Sequence, residues 1–122
     1  MDNLELLKRA ADAAGLYVTD DPEVTGSNRD ADCIWVKDHK YGMYRRWNPL
    51  DDDGDAFRLA IALRISLMTS SNNTACDVPG TDDYVWEEDT DTAAARRAIV
   101  RAAAYVGKIM RRLSDVHMIS KA

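Results

Sequence analysis

The segment from Thr92 to Leu113 contains no proline, and it constrains the fold more than any other part of the chain. Ala95, Ile99, Ala102, Val106, Ile109 and Leu113 recur at helical spacing, which predicts one long helix with an apolar inner face. Thr90 or Asp91 stands where the N-cap belongs. Arg97, Arg101, Lys108 and Arg111 fall within about 80° of one another on the opposite face. Such a helix must bury its stripe against other elements, and the rest of the chain supplies them.

A first helix is expected over residues 3–14. Asp2 can cap it, with Glu5 placed to reach back in a capping box, and Gly15 suits a left-handed exit. Leu4, Leu7, Ala11 and Ala14 share one of its faces. Residues 16–31 hold Thr19-Asp20-Asp21-Pro22 and Gly26-Ser27-Asn28, and they read as mostly loop. Strands follow from Cys33 to Val36 and from Met43 to Trp47, joined through a turn at residues 38–42 into a hairpin.

Asn48-Pro49-Leu50 stops that hairpin, and an aspartate among residues 51–53 caps a helix from about Asp55 to Leu63. Ala56, Leu59, Ala60 and Leu63 share a face that Phe57 and Ile61 widen, so this helix is expected at the centre, covered on most sides. Residues 65–69, 74–78 and 84–87 read as short strands separated by turns rich in Ser, Asn, Pro and Gly. The fold class is α+β: one compact domain over residues 1–122, with helices packed on a short mixed or antiparallel sheet. The expected order is α-β-β-α-β-β-β-α.

A chain of 122 residues can bury enough surface to fold without a disulfide or a metal. Its net charge of −5 argues against duplex DNA as a partner, since counterion release needs clustered cations. Cys33 and Cys76 have no ligand spacing around them and read as small buried hydrophobes. The N-terminus lacks a signal peptide's basic and apolar regions, and no window is long and apolar enough to span a membrane.

The run Asp51-Asp52-Asp53-Gly54-Asp55 suggests calcium. Placing Gly54 at the turn glycine of an EF-hand loop puts Pro49 at the first ligand position and Ala60 at the last, so the motif fails. Helix capping is the better reading. Asp55 and Arg58, three residues apart, are assigned a buried structural ion pair at the strand-to-helix junction. No cofactor is called for. His39 and His117 belong to no nucleophile motif and no phosphate loop occurs, so no catalytic constellation is recognised and the chain is read as a non-enzyme.

Trp47-Asn48-Pro49-Leu50-Asp51-Asp52-Asp53-Gly54-Asp55-Ala56-Phe57-Arg58-Leu59 resembles the W-N-P-L-x-D-D-G-D-A-L-R-L signature of the phage ABA sandwich domain family. Ala94 to Ala104 resembles that family's closing helix, and the first helix also fits. The likeness covers about half the chain, while residues 17–46 and 65–90 follow no matched pattern. It implies a small bacteriophage protein working in the host cell cytoplasm, and it implies no activity.

Phage proteins of this size often counter host defence. The leading expectation is therefore a counter-defence sponge that sequesters an anionic small molecule, such as a cyclic dinucleotide or an ADP-ribose derivative. The candidate ligand-binding residues are Trp35, Tyr44, Arg45, Arg46, Trp47 and Asn48, with Arg97 and Arg101 on the long helix. Arginine offers forked contacts to phosphate, and aromatic rings stack on bases. Core packing remains open for the aromatics. Two alternatives stand beside this: an acidic inhibitor of a host defence or nucleic-acid-handling protein, and a hydrolase of the messenger. A homo-oligomer is expected because a subunit boundary deepens a shallow pocket.

Overall fold

The computed structural model describes residues 1–21 and 33–121, with side chains to Leu113. The first helix, α1, spans Asn3–Ala13. The Asp2 carboxylate accepts the Glu5 N–H at 2.8 Å and so satisfies one of the free amides at the helix start. Glu5 does not turn back to complete the box; its carboxylate takes Arg9 one turn later at 3.0 Å. Gly15 leaves the helix at φ 74°, in the left-handed region that glycine enters without a Cβ clash.

The chain then forms β1 (Tyr17–Thr19), inside the segment expected to be mostly loop. Three residues carry too little alternation to be read locally, and the strand exists because it pairs with β2 (Ile34–Lys37). The hairpin partner β3 spans Arg45–Trp47, shorter than expected because Met43 projects into solvent and Tyr44 lies outside the ladder. These strands make an antiparallel sheet of order β1-β2-β3, with Ile34 opposite Trp47 and Val36 opposite Arg45. Most of the expected loop, residues 22–31, lies outside the described residues.

Helix α2 (Asp53–Leu63) is capped by Asp52, whose carboxylate accepts the Asp55 N–H at 2.8 Å. It ends at Arg64, a non-glycine residue at φ 60°. A second antiparallel sheet follows, of order β4-β5-β6, from β4 (Leu67–Thr69), β5 (Thr74–Asp77) and β6 (Tyr84–Glu87). The last helix, α3, spans Thr92–Lys121, and Asp91 accepts the Ala94 N–H at 2.8 Å. It continues past the expected end at residue 113, so position 117 is helical and not beyond the helix. The architecture is a compact α+β fold of two short antiparallel sheets flanked by helices.

The centre of that fold is α3, not the 55–63 helix. Ala98, Ile99, Val100, Ala102, Ala103 and Ala104 are all buried, which places buried side chains around most of the helix. Alanine makes this arrangement feasible, because its small side chain lets neighbours approach on several sides. Gly107 marks the closest approach: a Cβ there would run into the Arg9 carbonyl of α1. By contrast, Phe57 and Ile61 of α2 are 66% and 55% exposed, and only Asp55, Ala56 and Leu59 are buried. A short helix resting by one side on α3 cannot be covered all round, however apolar it is. Leu113 is also exposed, against its expected place on the inner face.

One cluster holds the elements together. It joins Leu7, Ala10 and Ala11 of α1 to Ile34, Val36 and Trp47 of the first sheet, to Cys76 beside Val78 in the second, and to α3. Full burial of a side chain like Leu7 contributes roughly 1.5–3 kcal/mol.

Candidate ligand-binding faces

The residues from Trp47 to Leu59 form the junction between β3 and α2. The buried Asp55 carboxylate ties it together: one oxygen accepts the Asn48 N–H at 3.0 Å, and the other accepts Arg58 at 2.8 Å. Asp52 is the helix cap. Asp53 pairs with Arg96 of α3 at 2.6 Å, and Arg96 also donates to the Leu50 carbonyl at 2.9 Å. Three of the clustered aspartates are thus committed, Asp52 to capping and Asp53 and Asp55 to joining elements. Among the described residues, no group of three or more His, Cys, Asp or Glu is placed to hold a metal ion. The pairing of Asp55 with Arg58 is observed, but only Asp55 is buried; the Arg58 side chain is 64% exposed.

The strand alternation divides the hairpin candidates between two surfaces. Trp35 and Arg46 face each other across β2 and β3 on the outer side of the first sheet. In the next row Lys37 lies opposite Tyr17 of β1. The Lys37 ammonium sits 4.7 Å from the Tyr44 ring centre and 5.7 Å from that of Tyr17, and it donates to the Lys40 carbonyl at 2.8 Å. Tyr17, Trp35 and Tyr44 therefore share one face with Lys37 and Arg46. A cation over an aromatic face is attracted by the ring quadrupole, which fixes the relative position of these side chains. Tyr41 stands apart in solvent at the turn.

Arg45 and Trp47 point the other way. Trp47 is 3% exposed, a core residue whose ring cannot stack on a ligand. Arg45 donates to Asp38 at 3.3 Å and lies 3.7 Å from Asp55. Asn48 is half-buried, its amide committed to Asp55 and its side-chain oxygen accepting the Leu50 N–H at 3.2 Å.

The two arginines of α3 belong to neither hairpin surface. Arg101 contacts Glu87 of β6 at 3.0 Å and donates to the Trp86 carbonyl at 2.8 Å, while Arg97 lies 3.9 Å from the same carboxylate. They fasten the second sheet to α3, which is a sharper role than a solvated outer stripe. Arg97 also lines a shallow polar pocket of about 350 Å³ with Asn48 and Asp51, where two candidates do meet.

Sequence reasoning overlooked Tyr17 and Lys37. Lys37 alternates correctly with Trp35, but only the register with β1 brings Tyr17 to it. Of the two cysteines, Cys76 is buried, and burial, with the adjacent Asp77 charge, pushes its thiol up to about 12. It remains protonated and unreactive near neutral pH. Comparisons with protein-family models, curated proteins and solved structures each found no match.

Proposed function

We propose that this chain acts by binding, and that its ligand is an anionic molecule bearing a flat ring, of the nucleotide class. The observation that carries this reading is the outer face of the first sheet, where three aromatic rings stand beside two cations. Rings accept a base by stacking, and each stack is worth about 1–3 kcal/mol. Lysine and arginine answer phosphate. The resemblance of Trp47 to Leu59 to the phage ABA sandwich signature supports a bacteriophage origin. With it goes the more specific proposal: a counter-defence protein that sequesters a host nucleotide messenger in the host cell cytoplasm. No described helix is long and apolar enough to cross a membrane. An open sheet face covers one side of a ligand, so a second copy closing the other side completes the proposal as a homo-oligomer.

Calorimetry with cyclic dinucleotides and ADP-ribose derivatives tests it, on the wild type and on Trp35→Ala/Tyr44→Ala. Binding is expected for the wild type, weakened about tenfold or more by the double variant. Heating should release the ligand intact; a cleaved product would favour the hydrolase alternative. Unchanged affinity in the variant would remove the face from the proposal. Light scattering across a dilution series should report more than one chain per particle.

A second reading draws on the outer side of the second sheet. Tyr84 and Trp86 form a ring pair 6.3 Å apart, 51% and 58% exposed, beside Met68 at 41%. Asp82, Asp83, Glu88 and Asp89 flank β6 and are exposed. An apolar centre with an acidic rim suits a basic protein partner, as an inhibitor acting by contact would require. Trp86→Asp would abolish that contact and leave nucleotide binding in place.

A further inference from the structure

A separate cavity of about 240 Å³ lies on the inner side of the hairpin, between the exit of α1, β3 and α2. Ala14, Leu16, Trp47, Leu59 and Ala62 supply an apolar lining, Arg45 and Arg58 reach it from two different elements, and the Asp38 carboxylate, paired with Arg45, also stands in it. The two guanidinium groups are held by one buried carboxylate. Asp55 Oδ1 lies 2.8 Å from Arg58 and 3.7 Å from Arg45. Each guanidinium has five N–H donors. Among the described residues Arg58 donates to Asp55 and Arg45 to Asp38, which leaves donors to spare beside the apolar part of the lining. Gly54 gives the Arg58 head its place, since a Cβ there would sit 3.2 Å from both terminal nitrogens.

We propose that this cavity binds a small carboxylate with an apolar body, on the scale of a branched aliphatic or phenyl-substituted acid. The apolar lining takes the hydrocarbon, and the arginine heads take the carboxylate through forked hydrogen bonds. The size fits: the cavity falls below the range of about 300–1,000 Å³ typical of larger ligands. A nucleotide is excluded on the same ground and by the buried Trp47 ring, which offers no face for a base. Arg45 and Arg58 are balanced by Asp38 and Asp55, so spare guanidinium donors and not net charge hold a singly charged head, and a doubly charged phosphate would meet more repulsion from the two carboxylates.

The test is titration of the protein with 4-methylpentanoate and 3-phenylpropanoate, followed by amide chemical shifts, with the corresponding alcohols as uncharged controls. The acids should bind with shifts at Leu16, Leu59 and Ala62, and the alcohols about tenfold or more weakly. Arg58→Gln should weaken the acids to a similar degree. Ala62→Phe, which fills the cavity from its exposed rim, should abolish their binding, with thermal melts confirming that both variants fold. Acids that bind no better than alcohols, or binding that survives both substitutions, would overturn the proposal, as would acids that do not bind at all. Nucleotides titrated in parallel report on the outer face alone. Their failure would leave a positive carboxylate result standing, because the two surfaces share no residue.

Discussion

Replacing Asp55 with alanine removes the carboxylate that fastens the end of β3 to the start of α2. Two losses follow, and the structure separates them. The Asn48 N–H, part-buried at 3.0 Å from Asp55, loses its acceptor, and an unmatched buried amide costs about 1–3 kcal/mol. The contact with Arg58 adds less: that side chain is 64% exposed, and a solvent-screened pair is worth under about 1 kcal/mol. The expected total is about 1–4 kcal/mol for Asp55→Ala, against under about 1 kcal/mol for Arg58→Ala. A fully buried pair, as the sequence suggested, would have put the arginine's cost at about 3–5 kcal/mol. Urea denaturation of both variants measures the difference; at a slope of about 1–3 kcal/mol per molar, the middle of that range moves the Asp55→Ala midpoint by about 1 M. Asp55→Asn, which keeps an acceptor for the Asn48 amide, should recover part of the loss. Equal midpoints for the Asp55→Ala and Arg58→Ala variants would refute the reasoning, since the ion pair and not the backbone tie would then carry the junction.

Gly107→Ala should destabilise by about 1–3 kcal/mol, because the added methyl meets the Arg9 carbonyl where α1 and α3 are closest; an unchanged melting temperature would mean that the helices part freely. Arg64→Gly should stabilise by up to about 1 kcal/mol in the same denaturation assay, since Arg64 closes α2 at φ 60°, where a Cβ is strained. Cys76 carries a pH signature: its thiol holds its proton up to about 12 in the fold, whereas the unfolded chain releases it near 9.0. Its contribution is therefore fully present below pH 9.0 and is lost as pH rises from there toward about 12, on the order of 1 kcal/mol per unit. Denaturation midpoints compared across that window should fall more steeply in the wild type than in Cys76→Ala, and parallel curves would contradict the assignment.

What the sequence disclosed follows the range of the interactions. Helix starts are local, and Asp2, Asp52 and Asp91 each cap by accepting the N–H three residues on. The hairpin was legible for the same reason: its strands are near in sequence and a turn separates them. β1 was not, because a three-residue strand owes its existence to a partner beyond residue 33. The centre of the fold was misplaced because hydrophobicity was taken as burial. Phe57 and Ile61 are large and apolar yet exposed, while a run of alanines around Ala102 is enclosed. Burial depends on how many neighbours can reach a helix, and small side chains admit more of them.

The same distinction governs the candidate site. Arg45 and Arg46 are adjacent in sequence, and a basic pair between aromatics reads as one anion-binding element. In a strand, successive side chains point to opposite faces, so the pair cannot grip a single small ligand from one side. Arg45 goes inward to Asp38 and Asp55, while Arg46 goes outward opposite Trp35. Each then acquires neighbours that sequence proximity does not suggest. Tyr17 reaches Lys37 through the register of β1, and Arg58 reaches Arg45 through the carboxylate they share. One cluster in the sequence thus becomes two surfaces of different chemistry. The open one, with rings and cations, suits a flat ligand. The inward-facing one, with arginines beside an apolar lining, suits a small acid. A single double substitution at positions 45 and 46 would disturb both at once and distinguish neither, which is why Trp35 with Tyr44 must be tested separately from Arg58.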